Sequence, residues 1–155
     1  MPCALFLASC GFQLRGEPQV GLQRLYISSD IPSQVHAEIK RALAAGPTTI
    51  VATEKDAEAH LHIIHESRDK NVFTITGTGR VYEFQLKITV RYEVRVPGRE
   101  DPVIPPTEVI ARRVVTYSEG APTAKEAEEQ LLFQDMQAEA SDRILRQVAL
   151  ARREM

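Results

Sequence analysis

Tyr82-Glu83-Phe84-Gln85-Leu86-Lys87-Ile88-Thr89-Val90-Arg91-Tyr92-Glu93-Val94-Arg95-Val96 is the stretch that decides the fold. Tyr82, Phe84, Leu86, Ile88, Val90, Tyr92, Val94 and Val96 share one parity, and the residues between them are polar or charged. Successive side chains of a strand point to opposite faces, so this pattern writes a half-buried strand in an antiparallel sheet with one solvated face. At about 3.3 Å per residue it spans roughly 50 Å. That exceeds the usual strand of about 3–10 residues, so the strand is expected to bend, to bulge or to project beyond the globule.

Downstream, Pro97-Gly98 ends the strand, and a polar, proline-rich loop runs to Pro105-Pro106. Thr107 to Tyr117 returns antiparallel, with Val109, Val115 and Tyr117 facing the core. Arg113 falls on the same parity and is expected near an end or an edge. After Gly120-Ala121-Pro122 a long helix runs to about Arg153, with Thr123 and Glu126 as a capping box. Phe133, Met136, Ala140, Ile144, Val148 and Ala151 follow one helical face, with Leu131, Leu132 and Leu145 beside them. At 1.5 Å per residue the helix is roughly 45 Å long and approximately matches the strand.

Upstream, Leu22 to Ser28 reads as a first strand with Leu25 and Ile27 on one face. A helix follows, capped by Ser29 or Asp30 with Pro32 in its first turn. Val35, Ile39, Ala42 and Leu43 form its apolar face, and Gly46-Pro47 stops it. Thr49 to Ala52 is β-like but unassigned. His60 to Arg68 reads as a strand, Asp69-Lys70-Asn71 as a turn, and Val72 to Thr76 as a return to β character before Gly77-Thr78-Gly79. The order is strand, helix, three strands, helix. It predicts an α+β two-layer sandwich, with two helices on one face of a mostly antiparallel four-stranded sheet.

The chain has 155 residues, 43% hydrophobic and 26% charged, which suits one domain with a substantial core. Its formal charge of −2, from 19 basic and 21 acidic residues, supplies no global basic field for nucleic acid. No run approaches the roughly 20 apolar residues of a membrane-spanning helix.

Leu7-Ala8-Ser9-Cys10, followed by Gly11, forms a lipobox, the pattern at which bacteria acylate a cysteine thiol and cleave the chain just before it. It predicts a signal segment over 1–9, a lipidated tether over 10–21 with Cys10 as the attachment point, and a single domain over 22–153. A secretory signal also needs a basic start and a longer apolar run, and no Lys or Arg precedes Arg15. Two readings remain: a shortened lipoprotein signal, or a cytosolic chain that carries Ser9-Cys10 unprocessed. With Cys3 removed and Cys10 acylated, no thiol is left for a disulfide.

The most enzyme-like feature is His60-Leu61-His62-Ile63-Ile64-His65. Strict alternation puts His60 and His62 on one face with Glu66, and His65 on the other. A transition-metal site needs three or four converging ligands, so surface histidines are the expectation, and no metal or cofactor is assigned. Gly77-Thr78-Gly79 lacks a phosphate-loop lysine and a following helix, and reads as a strand break. No nucleophile elbow or triad is present, which argues against catalysis. Arg80, Lys87, Arg91 and Arg95 lie near or on the polar side of the long strand, and Lys125 opens the long helix, where basic side chains pair well with phosphate.

Cys10-Gly11-Phe12-Gln13-Leu14-Arg15, the run Tyr82-Glu83-Phe84-Gln85-Leu86 leading to Val96-Pro97-Gly98-Arg99, and Ala124-Lys125-Glu126 with Glu129 and Gln130 close behind resemble, in order, the LPS-assembly lipoprotein family of Gram-negative outer membranes. The resemblance implies a non-enzymatic lipoprotein on the periplasmic side of the outer membrane. Its partner would be the large β-barrel that delivers lipopolysaccharide to the cell surface; the lipoprotein would plug that barrel, aid its assembly and bind lipopolysaccharide. It also implies lipopolysaccharide contact at a basic residue opening the long helix, which is Lys125 here. A second such residue belongs in the loop before the long strand, where Arg80 is the first basic side chain. The competing reading is a free-standing periplasmic lipoprotein that binds a small ligand or metal, perhaps through the histidines.

Overall fold

A computed structural model describes residues 20–117 and 122–155. The elements are β1 (Arg24–Ser29), α1 (Gln34–Ala44), β2 (Thr49–Ile50), β3 (Ala59–Ile75), β4 (Val81–Arg95), β5 (Ile104–Thr116) and α2 (Pro122–Ala151), with short 3-10 turns at Glu54–Asp56 and Arg152–Glu154. They form an α+β fold whose five-stranded sheet has the order β2-β1-β3-β4-β5. β1 runs parallel to β2 and β3, while β3–β4 and β4–β5 are antiparallel. The sheet is therefore mixed and has five strands rather than four. Thr49 and Ile50 become a strand because β1 offers them a free parallel edge, a partner that local pattern does not reveal.

β4 matches its alternation. Leu86, Ile88, Val90, Tyr92 and Val94 are fully buried. They join Leu25, Ile27, Leu61 and Ile63 of neighbouring strands in one core, closed by Val35, Ile39 and Leu43 of α1 and by Met136, Ala140, Ile144, Leu145 and Val148 of α2. Leu131 lies outside this face and is exposed. α2 opens at Pro122, one residue before Thr123, so Thr123 sits inside the first turn rather than at the cap expected for it.

β3 departs most from its expected form. Asp69, Lys70 and Asn71 make no turn; they pair with Lys87, Leu86 and Gln85, and β3 runs unbroken for 17 residues. An extended β4 ladder gives these polar residues partners that outweigh their turn preference. The register shifts between Ile63 and His65, which leaves Ile64 as an extra, bulged residue. A bulge reverses parity downstream. His65 therefore sits opposite Arg91 on the same open face as His60 and His62, and Glu66 sits opposite buried Val90 on the helix side. Both assignments made from strict alternation are reversed.

α1 begins at Gln34 with Ser33 as its cap, not Ser29 or Asp30. The Ser33 hydroxyl accepts from His36 N–H at 2.9 Å and donates to Glu66 Oε2 at 2.6 Å. Glu66 Oε2 also accepts from Val35 N–H at 3.1 Å. At the other side, β5 is an edge strand whose prolines Pro105 and Pro106 fall in a second register irregularity, as prolines in strands do. Arg113 on this edge donates to Glu139 of α2 at 2.6 Å.

Candidate functional site

β3 and β4 are joined at Thr76 to Arg80, where Thr76 N–H donates to Arg80 O at 2.7 Å and Gly79 N–H to Thr76 O at 2.9 Å. Gly79 has φ of +80°, a conformation glycine adopts without strain. Gly77-Thr78-Gly79 is thus the turn between two strands. Arg80 is exposed there and has no ion-pair partner among the described residues. Lys125, in the first turns of α2, pairs with Glu128 Oε2 at 2.7 Å.

Two cross-links show that the hairpin tip and the start of α2 share one end of the molecule. Tyr117 N–H donates to Tyr82 O at 2.8 Å, and Lys70 of β3 pairs with Glu129 of α2. The topology therefore brings Arg80 and Lys125 to the same end. That end also carries exposed apolar side chains: Val72, Phe73, Ile75, Tyr82, Val114 and Tyr117, with Phe73 at 52% and Ile75 at 63% exposure. Clustered exposure of this kind marks an interaction surface. The first described residues lie at the opposite end, where Gly21 packs against Arg152. Between Lys125 and Arg152, α2 rises roughly 40 Å. Cys10 lies outside the described residues.

The open sheet face is hydrophilic. Lys87 pairs with Asp69 at 3.3 Å, and Arg95 Nε donates to Glu93 Oε1 at 2.8 Å. At its proximal end His60 and His62 lie side by side, ring centres 5.7 Å apart. His60 Nε2 is 2.7 Å from Ser28 Oγ and its Nδ1 is 3.3 Å from Glu54 Oε1. His62 Nε2 is 2.9 Å from Asp30 Oδ1, with Glu93 Oε1 at 3.4 Å from its Nδ1. Burial opposes charge on His62, but the Asp30 and Glu93 carboxylates together outweigh it and raise its pKa. Burial dominates at His60 and lowers its pKa, although Glu54 pulls the other way. The hydrogen bond from Arg95, against the opposing effect of burial, holds Glu93 below the usual carboxylate value. These nitrogens are engaged as ties between the β1–α1 loop, β1, β3 and β4. Among the described residues no three His, Cys, Asp or Glu side chains gather as metal ligands.

Two residues of consequence were invisible to sequence reasoning, Glu66 and Arg68. Both owe their position to the Ile64 bulge, for which the sequence carries no local signal.

A family model for lipopolysaccharide assembly, LptE, matches residues 22–148. The LPS-assembly lipoprotein LptE of Yersinia pestis (strain Pestoides F) is 34% identical over 149 residues, covering 93% of this chain and 70% of that protein. The protein of the same name from Yersinia pseudotuberculosis serotype O:3 (strain YPIII) matches to the same extent. Among solved structures, the uncharacterized lipoprotein B of Nitrosomonas europaea superposes with a TM-score of 0.76 at 28% identity, covering 90% of each chain. The rare lipoprotein B of Shewanella oneidensis does so with a TM-score of 0.73 at 27% identity, covering 84% of this chain and 97% of that one.

Proposed function

The chain belongs to the LptE family of lipopolysaccharide-assembly lipoproteins, which are not enzymes, and from that premise we propose that it is the lipoprotein partner of the outer-membrane β-barrel that exports lipopolysaccharide. In this reading it is anchored through an acylated Cys10 on the periplasmic side of the outer membrane, with residues 10–21 as tether and 22–153 as the working domain. It plugs the barrel, aids its assembly and binds lipopolysaccharide. The observation that carries the reading is the family match across 22–148, which takes in every strand and nearly all of α2.

Physical features support the finer points. Barrel interiors are polar, and the open face formed by Lys87, Thr89, Arg91 and Glu93 is a hydrogen-bonding surface suited to one. Arg80 and Lys125 occupy one end of the fold, beside exposed apolar side chains, and form the lipopolysaccharide contact; cations pair with its phosphates and apolar groups suit its acyl chains.

Affinity purification from detergent-solubilised outer membranes tests the partnership. The expected result is a co-purifying large β-barrel, together with barrel misassembly on depletion. Normal surface lipopolysaccharide and a normally folded barrel in a deletion strain would refute it. For the contact residues, Lys125→Glu should lower lipopolysaccharide affinity with the melting temperature unchanged, and Arg80→Glu should act in the same direction. Full affinity in correctly folded variants rejects these two assignments.

A further inference from the structure

α1 is only 11 residues long and its N-terminus stops at Glu66, whereas β3 continues to Ile75. The helix layer is thus incomplete over β3, and a cleft of about 610 Å³ opens between α1 and α2. Gln34 of α1, Arg68 of β3 and Gln130, Phe133, Gln134 and Gln137 of α2 line it. The Ile64 bulge aims Glu66, Arg68 and Lys70 at this side of the sheet, and their charges are handled differently. Glu66 is consumed in capping α1, and Lys70 is neutralised by Glu129. Arg68 has no carboxylate partner among the described residues. Its guanidinium lies 5.6 Å from the centre of the Phe133 ring and donates to the buried Gln137 side-chain oxygen. On the α1 wall, Arg41 is already paired with Glu38.

From this arrangement we propose that the cleft binds a phosphorylated saccharide, a reading that rests on the lipopolysaccharide-binding function above and gives it a second contact point for the sugar portion. Stacking on Phe133 and the bond to Gln137 hold the Arg68 fork in place and leave donors for an oxyanion, the geometry that suits phosphate. Side-chain amides offer both a donor and an acceptor, as hydroxyl groups require, and the cleft presents four of them. Its size is within the range of small-molecule sites. An apolar peptide finds little here, because Phe133 and Ala138 are the only apolar side chains in the lining.

The test is calorimetric titration of the full chain with lipid-free phosphorylated core oligosaccharide, with the same oligosaccharide after dephosphorylation, and with inorganic phosphate. Saturable binding that weakens about tenfold or more on dephosphorylation is expected. Arg68→Gln should weaken it similarly without lowering the melting temperature, and Lys125→Glu should leave it unchanged. Where Arg68→Gln fails to fold, Gln134→Ala on the exposed wall replaces it, with a smaller loss expected. Absence of saturable binding, indifference to dephosphorylation, or equal affinity for inorganic phosphate overturns the proposal. Intact lipopolysaccharide binding without oligosaccharide binding removes the cleft and leaves the proposed function standing. Oligosaccharide binding by a chain that neither binds lipopolysaccharide nor recovers a barrel removes the function and leaves the cleft.

Discussion

Glu66 closes the N-terminus of α1 from another layer of the fold: its carboxylate takes the Ser33 hydroxyl at 2.6 Å and the Val35 amide at 3.1 Å. A helix start leaves amides without intrahelical partners, and a carboxylate there also meets the positive end of the helix dipole. Glu66→Ala should therefore destabilise the domain by about 1–2 kcal/mol and lower the melting temperature by several degrees. Glu66→Gln keeps an acceptor and should lose less. Equal stability of Glu66→Ala and wild type would mean that Ser33 alone suffices as the cap.

His62 should make stability pH-dependent with a definite sign. Its folded pKa is raised above the ordinary 6.5, so the folded state holds the proton more tightly. The stabilisation is complete below the unfolded value and is lost as pH rises through the folded one. His60 and His36 have lowered values, so their contribution is lost as pH falls from 6.5. Subtracting a His62→Asn variant isolates the first effect. The stability difference, measured by denaturant titration, should be larger at about pH 6 than at about pH 8. A flat or rising difference contradicts the geometry with Asp30 and Glu93.

Tyr92 is fully buried and its hydroxyl donates to Gln147 Oε1, which joins β4 to α2. Burial pushes its pKa up to about 12. Spectrophotometric titration should show one phenol ionising later than the others, and that late step should vanish in Tyr92→Phe. The variant should cost about 0.5–1.5 kcal/mol, the usual net worth of such a hydrogen bond.

Ile64 offers a test of register. It is the extra residue of the bulge, so deleting it leaves His65 opposite Arg91 and Glu66 on the helix side. Deleting Ser67, which pairs with Thr89, instead slips the rest of β3 by one residue and turns its side chains to the wrong face. The Ile64 deletion should retain a cooperative thermal transition, and the Ser67 deletion should cost about 3 kcal/mol or more. Identical behaviour of the two deletions would argue against the bulge.

Much of the fold is legible locally because the decisive signals are periodic. The alternation of β4 needs no partner to be read, and the apolar positions Val35, Ile39 and Leu43 of α1 and Met136, Ala140, Ile144 and Val148 of α2 all reach the core. Reading failed where a residue's place depends on something distant. Asp69-Lys70-Asn71 has the composition of a turn, yet β4 supplies it with a ladder. Thr49-Ile50 becomes a strand only because β1 lies beside it. For the candidate sites, Arg80 and Lys125 could be named individually, but they lie 45 positions apart and only the fold shows that they share an end.

Sequence alone determined the class of structure: a long half-wet strand, a return strand and two amphipathic helices, since periodicity records which side of each element faces water. Tertiary structure decided which face the residues after Ile64 occupy, and with it the Glu66 cap, the shared face of the three histidines and the exposed guanidinium of Arg68. The reason is that a bulge is a property of two paired strands. One extra residue reverses the parity of everything beyond it, and where it falls is set by the fit of β3 to β4 rather than by either strand by itself.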